Sequence, residues 1–139
     1  IIGPGVSKNS YSDVPVTGLD ILPTLARLAG YQGLLPNILD GGNIQTVIHN
    51  NGKGKVKRNS PYLIFHQAAN RKPISAIRFG DYKLVKDWRY NKLELFDLSR
   101  DLEEKVDLSK KMPDIVKKLD EALIKFLNEA DAETKQIKT

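Results

Sequence analysis

Two residues, Gly80-Asp81, separate two short β-rich segments, 74–79 and 82–86. A two-residue connection of this composition suits a primed β-turn, whose twist matches that of the strands it joins. So tight a hairpin leaves no freedom of register. Phe79 is set opposite Tyr82 and Ile77 opposite Leu84 on one face, while Arg78 meets Lys83 on the other. Directly opposed like charges repel, so a carboxylate is required nearby, and Glu94 or Asp97 of the following segment is the candidate. Two further β-rich segments, 62–66 and 93–98, flank the hairpin and predict a four-stranded antiparallel sheet.

After the sheet, Ile115, Leu119, Ala122, Leu123, Phe126, Leu127 and Ala130 recur at helical spacing, which predicts a helix over 113–130 with Pro113 in its first turn. Its other face mixes Lys117, Lys118 and Lys125 with Asp120, Glu121 and Glu129 and reads as solvated. One apolar sheet face beside one amphipathic helix makes the fold class α+β. Upstream, Ile21, Leu25, Leu28 and Ala29 predict a helix over 20–29, with Asp20 as N-cap, Pro23 in the first turn and Gly30 at the left-handed C′ position. Residues 31–60 are rich in turn formers and read as loop. Residues 1–6 read as the end of a buried strand, which is an apolar way for a chain to open, and the sequence is taken as a portion of a longer one.

The chain has no cysteine and two histidines, His49 and His66. Disulfides, thiolate metal sites, a cysteine nucleophile and a His-rich zinc site are therefore all excluded. Glycine-rich phosphate loops, HExxH and the GxSxG elbow are absent, and no apolar run reaches the roughly 20 residues that cross a bilayer as a helix. Residues 49–92 hold eleven Lys/Arg against two acids, Asp81 and Asp87. Such an excess attracts polyanions, and a polyanion-binding module is one reading of the chain. The run 53–58 contains no aromatic residue to stack on bases, so nucleic acid is not expected as a partner; a solvated loop is its plainer reading. The stretch His66-Gln67-Ala-Ala-Asn70-Arg71-Lys72-Pro73 leaves an apolar strand as a polar, basic loop. Loops carried on rigid strands collect binding residues, which makes His66, Gln67, Arg71 and Lys72 candidates for substrate contact; a turn held by Asn70 and Pro73 is the alternative.

Four stretches in order resemble the C-terminal part of the sulfatases, within the alkaline-phosphatase-like superfamily. Ser12-Asp-Val-Pro-Val-Thr-Gly-Leu-Asp-Ile-Leu-Pro-Thr-Leu-Ala-Arg-Leu-Ala-Gly30 is similar to the family's "S-x-VP-x-x-x-x-D-x-x-PTLL-x-LAG" helix, and Asp40-Gly41 with Ile44 to its "DG-x-S-L" turn. Ser75-Ala-Ile-Arg-Phe-Gly-Asp-Tyr-Lys-Leu-Val85 resembles its "R-A-V-R-x-G-x-Y-K-L-I" hairpin. Glu94-Leu-Phe-Asp-Leu-Ser-Arg-Asp-Leu-Glu-Glu-Lys-Val-Asp-Leu108 resembles "E-L-Y-D-L-x-x-D-P-x-E-x-x-N-L", with Leu102 and Asp107 departing from the commoner Pro and Asn. The resemblance implies two parts: residues 1–50 as the end of the large α/β domain, and 51–139 as an antiparallel subdomain beside the active-site mouth.

It further implies a parent that hydrolyses the sulfate ester of a sugar or an aryl compound, uses calcium and a formylglycine, and is periplasmic or secreted. The remainder of that sulfatase chain is then this chain's partner. Neither the "C/S-x-P-x-R" motif from which formylglycine is made nor any cysteine occurs here, so no catalytic residue and no metal ligand is assigned. A phosphodiester or phosphonate ester hydrolase on the same scaffold remains the alternative chemistry, because a fold does not fix a function.

Overall fold

The computed structural model describes residues 1–68 and 72–134. The chain folds as two compact units, Ile1–Pro61 and Tyr62–Thr139. Arg58 and Asn59 are bonded back into the first unit.

In the first unit a 3-10 turn, Gly18–Asp20, runs into α1, Ile21–Leu28, and α2 follows at Gln45–His49. The short α2 falls where the composition predicts loop. The first residues form a turn at Pro4-Gly5 and no strand, so the reading of residues 1–6 as a strand end is corrected. The helix α1 buries Pro23 and Thr24, while its predicted apolar stripe points outward: Ile21 and Leu25 are more than half exposed and Leu28 is 49% exposed, with Leu22 beside them at 58%. The spacing identified the stripe correctly, but the unit contains nothing that covers it.

What holds this unit together is a buried carboxylate. Asp20, with no exposed surface, accepts a two-point contact from Arg58, Nε to Oδ1 at 2.9 Å and Nη2 to Oδ2 at 2.6 Å. The backbone amides of Gly42 and Thr17 complete its shell, both at 2.7 Å. Asp20 therefore does more than begin a helix, and Arg58 leaves the solvated run to which its neighbours belong. The Thr24 hydroxyl extends the node, donating to the Asp20 carbonyl at 2.6 Å and accepting from the Ile44 amide at 3.0 Å. The approach of the 40–43 turn is so close that a Cβ on Gly41 would lie 1.9 Å from the Leu19 carbonyl oxygen, and one on Gly42 2.4 Å from that of Lys57.

The second unit is a four-stranded antiparallel meander in the order β1-β2-β3-β4 with one helix against it. The strands are β1 Leu63–Gln67, β2 Ile74–Phe79, β3 Tyr82–Asp87 and β4 Lys92–Asp97; the helix α3 is Pro113–Glu129. The register is the one the hairpin predicts, Phe79 opposite Tyr82 and Ile77 opposite Leu84, with Gly80 in the left-handed region at φ +59°. Ile77, Leu84 and Leu95 line up across three strands and pack against Leu119, Leu123 and Leu127 of α3, all at 2% exposure or less. Four-residue spacing places those leucines on one side of the helix. Burying a side chain of this size stabilises by about 1.5–3 kcal/mol, so the six together secure the unit.

Two charge assignments differ from the sequence reading. Arg78 and Lys83 do face each other, but Lys83 is relieved by Glu104, at 2.6 Å, and not by Glu94 or Asp97. Glu104 sits in the segment after β4, where a φ of +55° turns the chain back. Asp120 of α3, read as solvated, pairs at 2.7 Å with Lys86, whose side chain is 5% exposed. Two other acids of the 94–108 segment serve the backbone. Asp101 accepts the Val106 amide at 2.7 Å, and Asp107 accepts the Leu95 amide at 3.1 Å and the Ser109 amide at 2.8 Å.

Candidate functional site

β1 ends at Gln67 and β2 begins at Ile74, so the basic connection between them leaves and re-enters at one end of the sheet. The row across that end runs Gln67, Ile74, Asp87, Lys92. Successive strand residues point to opposite faces, so His66 and Gln67 do not share one surface. His66 faces α3 and Gln67 the other side. Lys72 is exposed on the returning limb, next to the buried Pro73. Arg71 lies outside the described residues.

Beneath this connection runs a chain of hydrogen bonds through the helix–sheet interface. The Trp88 indole N–H donates to Ser75 Oγ at 2.8 Å, Ser75 Oγ is 2.8 Å from His66 Nδ1, and His66 Nε2 is 3.0 Å from the Glu133 carbonyl. An indole only donates and a carbonyl only accepts, so the direction is fixed for a neutral imidazole. Ser75 accepts from Trp88 and donates to Nδ1, which places the imidazole proton on Nε2, facing Glu133. The Lys86 ammonium lies 4.7 Å from the Trp88 ring centroid and is paired with Asp120. The Trp88 amide also donates to the Pro73 carbonyl at 3.3 Å, joining the turn after β3 to the end of the connection.

A serine hydroxyl on an imidazole suggests nucleophilic chemistry, yet the surroundings oppose it. Ser75 is 1% exposed, its oxygen is occupied by the indole, and the second imidazole nitrogen faces a backbone carbonyl in place of a carboxylate. The group is a polar strut that fixes where the basic connection begins and ends. His66 stands within it, with both ring nitrogens engaged.

Elsewhere little could carry chemistry. A cavity of about 210 Å³ in the first unit is walled by Val6, Tyr11, Val14, Val16, Ile44 and Val47 among others, with no charged residue in its lining. Asp20 could serve as an acid only if it took up a proton. Burial pushes its pKa up, but the Arg58 hydrogen bonds and the amides of Gly42 and Thr17 outweigh this and hold it below the ordinary carboxylate value. Among the described residues no three His, Asp or Glu side chains converge as metal ligands. The residues present thus do not fit calcium, and without cysteine or "C/S-x-P-x-R" they do not fit a formylglycine either. Of the eleven basic residues in 49–92, Arg58, Lys83, Lys86, Arg89 and Lys92 are in ion pairs, so much of the charge that suggested a polyanion module is neutralised locally. His49 joins the loops of the first unit, its Nδ1 lying 3.1 Å from the Gly5 carbonyl.

Comparison with known proteins gives this arrangement its class. The fold matches BT1596, a 2-O GAG sulfatase, with a TM-score of 0.71 and 26% identity, over 93% of this chain and 29% of that one. It also matches BT4656, solved in complex with its substrate D-glucosamine-2-N,6-O-disulfate, with a TM-score of 0.69 and 20% identity, over 96% of this chain and 28% of that one. Arylsulfatase K of Mus musculus is 28% identical over 135 residues, which are 92% of this chain and 24% of the relative. Residues 3–129 match the family model described as N-sulphoglucosamine sulphohydrolase, C-terminal, and the chain belongs to that family. It spans about a quarter of the length of the curated relatives it matches.

Proposed function

We propose that the chain is the C-terminal part of a sulfuric ester hydrolase acting on a sulfated sugar or aryl sulfate, and that it supplies scaffold and substrate-recognition surface. The observation that carries this reading is the sheet end itself: a basic connection held at both limbs by a buried strut, in a chain whose family match runs almost from end to end. Cleavage of a sulfate ester needs a strong nucleophile and cations to hold the sulfuryl oxygens through the transition state. Both fall to the remainder of the protein, where a formylglycine and calcium would sit.

His66, Gln67, Arg71 and Lys72 are the residues assigned to substrate contact, and His66 also anchors the strand from which their connection leaves. The outward apolar stripe of α1 and the half-exposed Phe65 of β1 are surfaces for the rest of the sulfatase chain. The test is desulfation of glucosamine 2-N,6-O-disulfate and of 4-nitrocatechol sulfate by the full-length protein. Activity abolished by chelation in the full-length protein, and absent from the isolated chain, is expected. Lys72→Ala should lower kcat/KM on the sugar sulfate by about tenfold or more, the worth of one charge-assisted hydrogen bond, and cost less on the aryl sulfate. Turnover by the isolated chain, abolished by a substitution within it, would refute the division of labour.

A further inference from the structure

The turn that ends α2 carries a chemical feature that the proposed function does not use. Asn51 is followed by Gly52, whereas every other asparagine of the chain precedes a residue with a side chain. Glycine leaves nothing to shield the asparagine side chain from the next backbone nitrogen. That nitrogen gives up its proton to solvent base and attacks Asn51 Cγ. The N–Cγ bond forms, the Cγ–Nδ2 bond breaks, and the amide leaves as ammonia with a proton from water. Hydrolysis of the resulting succinimide then yields aspartate or isoaspartate. Water is the only co-reactant.

The fold restrains both reacting groups. Asn51, at φ +52°, takes the left-handed position after α2, and Gly52 follows at φ +78°. The Gly52 amide donates to the Val47 carbonyl at 3.0 Å, the long bond of a Schellman cap, so the attacking nitrogen has its proton engaged. From the other side Ser7 donates its hydroxyl to Asn51 Oδ1. Ser12 donates to the Gly52 carbonyl at 2.7 Å, and His49 Nδ1 lies 3.1 Å from the Gly5 carbonyl. The chains pass so closely that a Cβ on Gly52 would lie 2.0 Å from the Tyr11 carbonyl oxygen. Residues 5–12 are thus bound across the Asn-Gly pair, while Asn51 itself is exposed to water.

We propose that Asn51 is a deamidation site latched by the segment 7–12. While the segment is seated, the side chain is kept; when it lifts, the backbone is freed to reach Cγ. The two products then differ in what they do to the latch. Aspartate keeps the main chain and still accepts the Ser7 hydroxyl. Isoaspartate routes the main chain through Cβ and Cγ and lengthens it by one atom, directly before a glycine that has no room for even a Cβ against Tyr11. The segment cannot then seat as before, and opening becomes irreversible.

The full-length protein is aged in mildly alkaline buffer, and the aspartate and isoaspartate forms of the peptide containing residue 51 are separated after digestion and weighed. A synthetic peptide of residues 47–55 gives the rate without a latch. The folded protein is expected to react at least about tenfold more slowly than this peptide. Ser7→Ala and Ser12→Ala each remove one hydrogen bond and should raise the folded rate about fivefold. Aged protein rich in isoaspartate should exchange the Gly52 amide hydrogen faster than fresh protein. A folded protein that reacts as fast as the peptide overturns the latch, and a peptide that keeps its asparagine overturns the site. Rates unmoved in both serine variants, with wild-type circular dichroism, also overturn the latch, because the cap of α2 alone would then protect Asn51. Where a serine variant does not fold, wild type in graded urea decides: a rate that climbs before global unfolding supports local opening, and one that climbs only with it overturns the proposal.

Discussion

Replacing Arg58 with alanine tests the buried node most directly. Asp20 lies at zero exposure, and Arg58 supplies the two contacts that carry opposite charge. Without them the carboxylate keeps only the Thr17 and Gly42 amides. Removing one partner of a buried pair costs about 3–5 kcal/mol, because the other charge remains in a place water cannot reach. At about 1.4 kcal/mol per decade, the opening equilibrium of the node should rise between roughly a hundredfold and several thousandfold. Hydrogen exchange on peptides covering 17–24 and 41–45 reports that equilibrium at the affected amides. A first unit less stable than this cost would unfold outright and lose all protection. Protection within threefold of wild type in both peptides would refute the reasoning, because the amides alone would then suffice to hold Asp20.

The pH dependence separates charge from packing. In the wild type the folded pKa of Asp20 lies below the ordinary 3.8. Its contribution is therefore fully present above that value and is lost as the pH falls through the lower folded one. In the variant the cation has gone while burial still pushes upward, so protonation relieves the folded state instead of weakening it. The gap between wild type and variant should narrow as the pH falls through about 3.8. A gap independent of pH would identify lost packing of the arginine stem as the cause.

Lys86 is the more deeply buried partner of its pair, 5% exposed against 21% for Asp120, so Asp120→Ala should cost more in urea unfolding than Lys86→Met, which keeps the stem and leaves an acid that water can reach. The reverse order, followed by Trp88 fluorescence, would contradict this. Gly41→Ala should prevent the first unit from folding, since its Cβ would meet the Leu19 carbonyl at 1.9 Å, whereas Gly18→Ala, with nothing within 4 Å, should change stability by no more than about 0.5 kcal/mol. Circular dichroism and soluble yield of the two variants decide it. The outward stripe of α1 should make the isolated chain self-associate, and Leu22→Glu with Leu25→Glu should reduce this in sedimentation velocity; equal association of both proteins would place the contact elsewhere.

The sheet and α3 were legible because everything that specifies them is local. Gly80-Asp81 fixes the register, and the leucines of α3 find their cover within the same unit. What escaped the sequence is what long-range partners decide. Asp20 looks like a helix cap until Arg58, 38 residues later, is folded onto it, and Asp120 looks solvated until Lys86, 34 residues earlier, reaches it. Lys83 found Glu104 because the chain after β4 turns back, which no strand pattern announces.

The strut beneath the basic connection left a signal that spacing alone did not exploit. Once the hairpin sets Ser75 opposite Lys86, alternation sends both to the inward face, and β1 adds His66 to the same row. Three polar side chains abreast on the face that packs a helix cannot go unpartnered, since an unpaired buried hydroxyl costs about 1–3 kcal/mol and an ammonium more. The row therefore demands a carboxylate from the helix and a donor for the serine, and Asp120 and Trp88 are the groups that answer. His66 thereby acquires a structural task in the helix–sheet interface, with both ring nitrogens engaged.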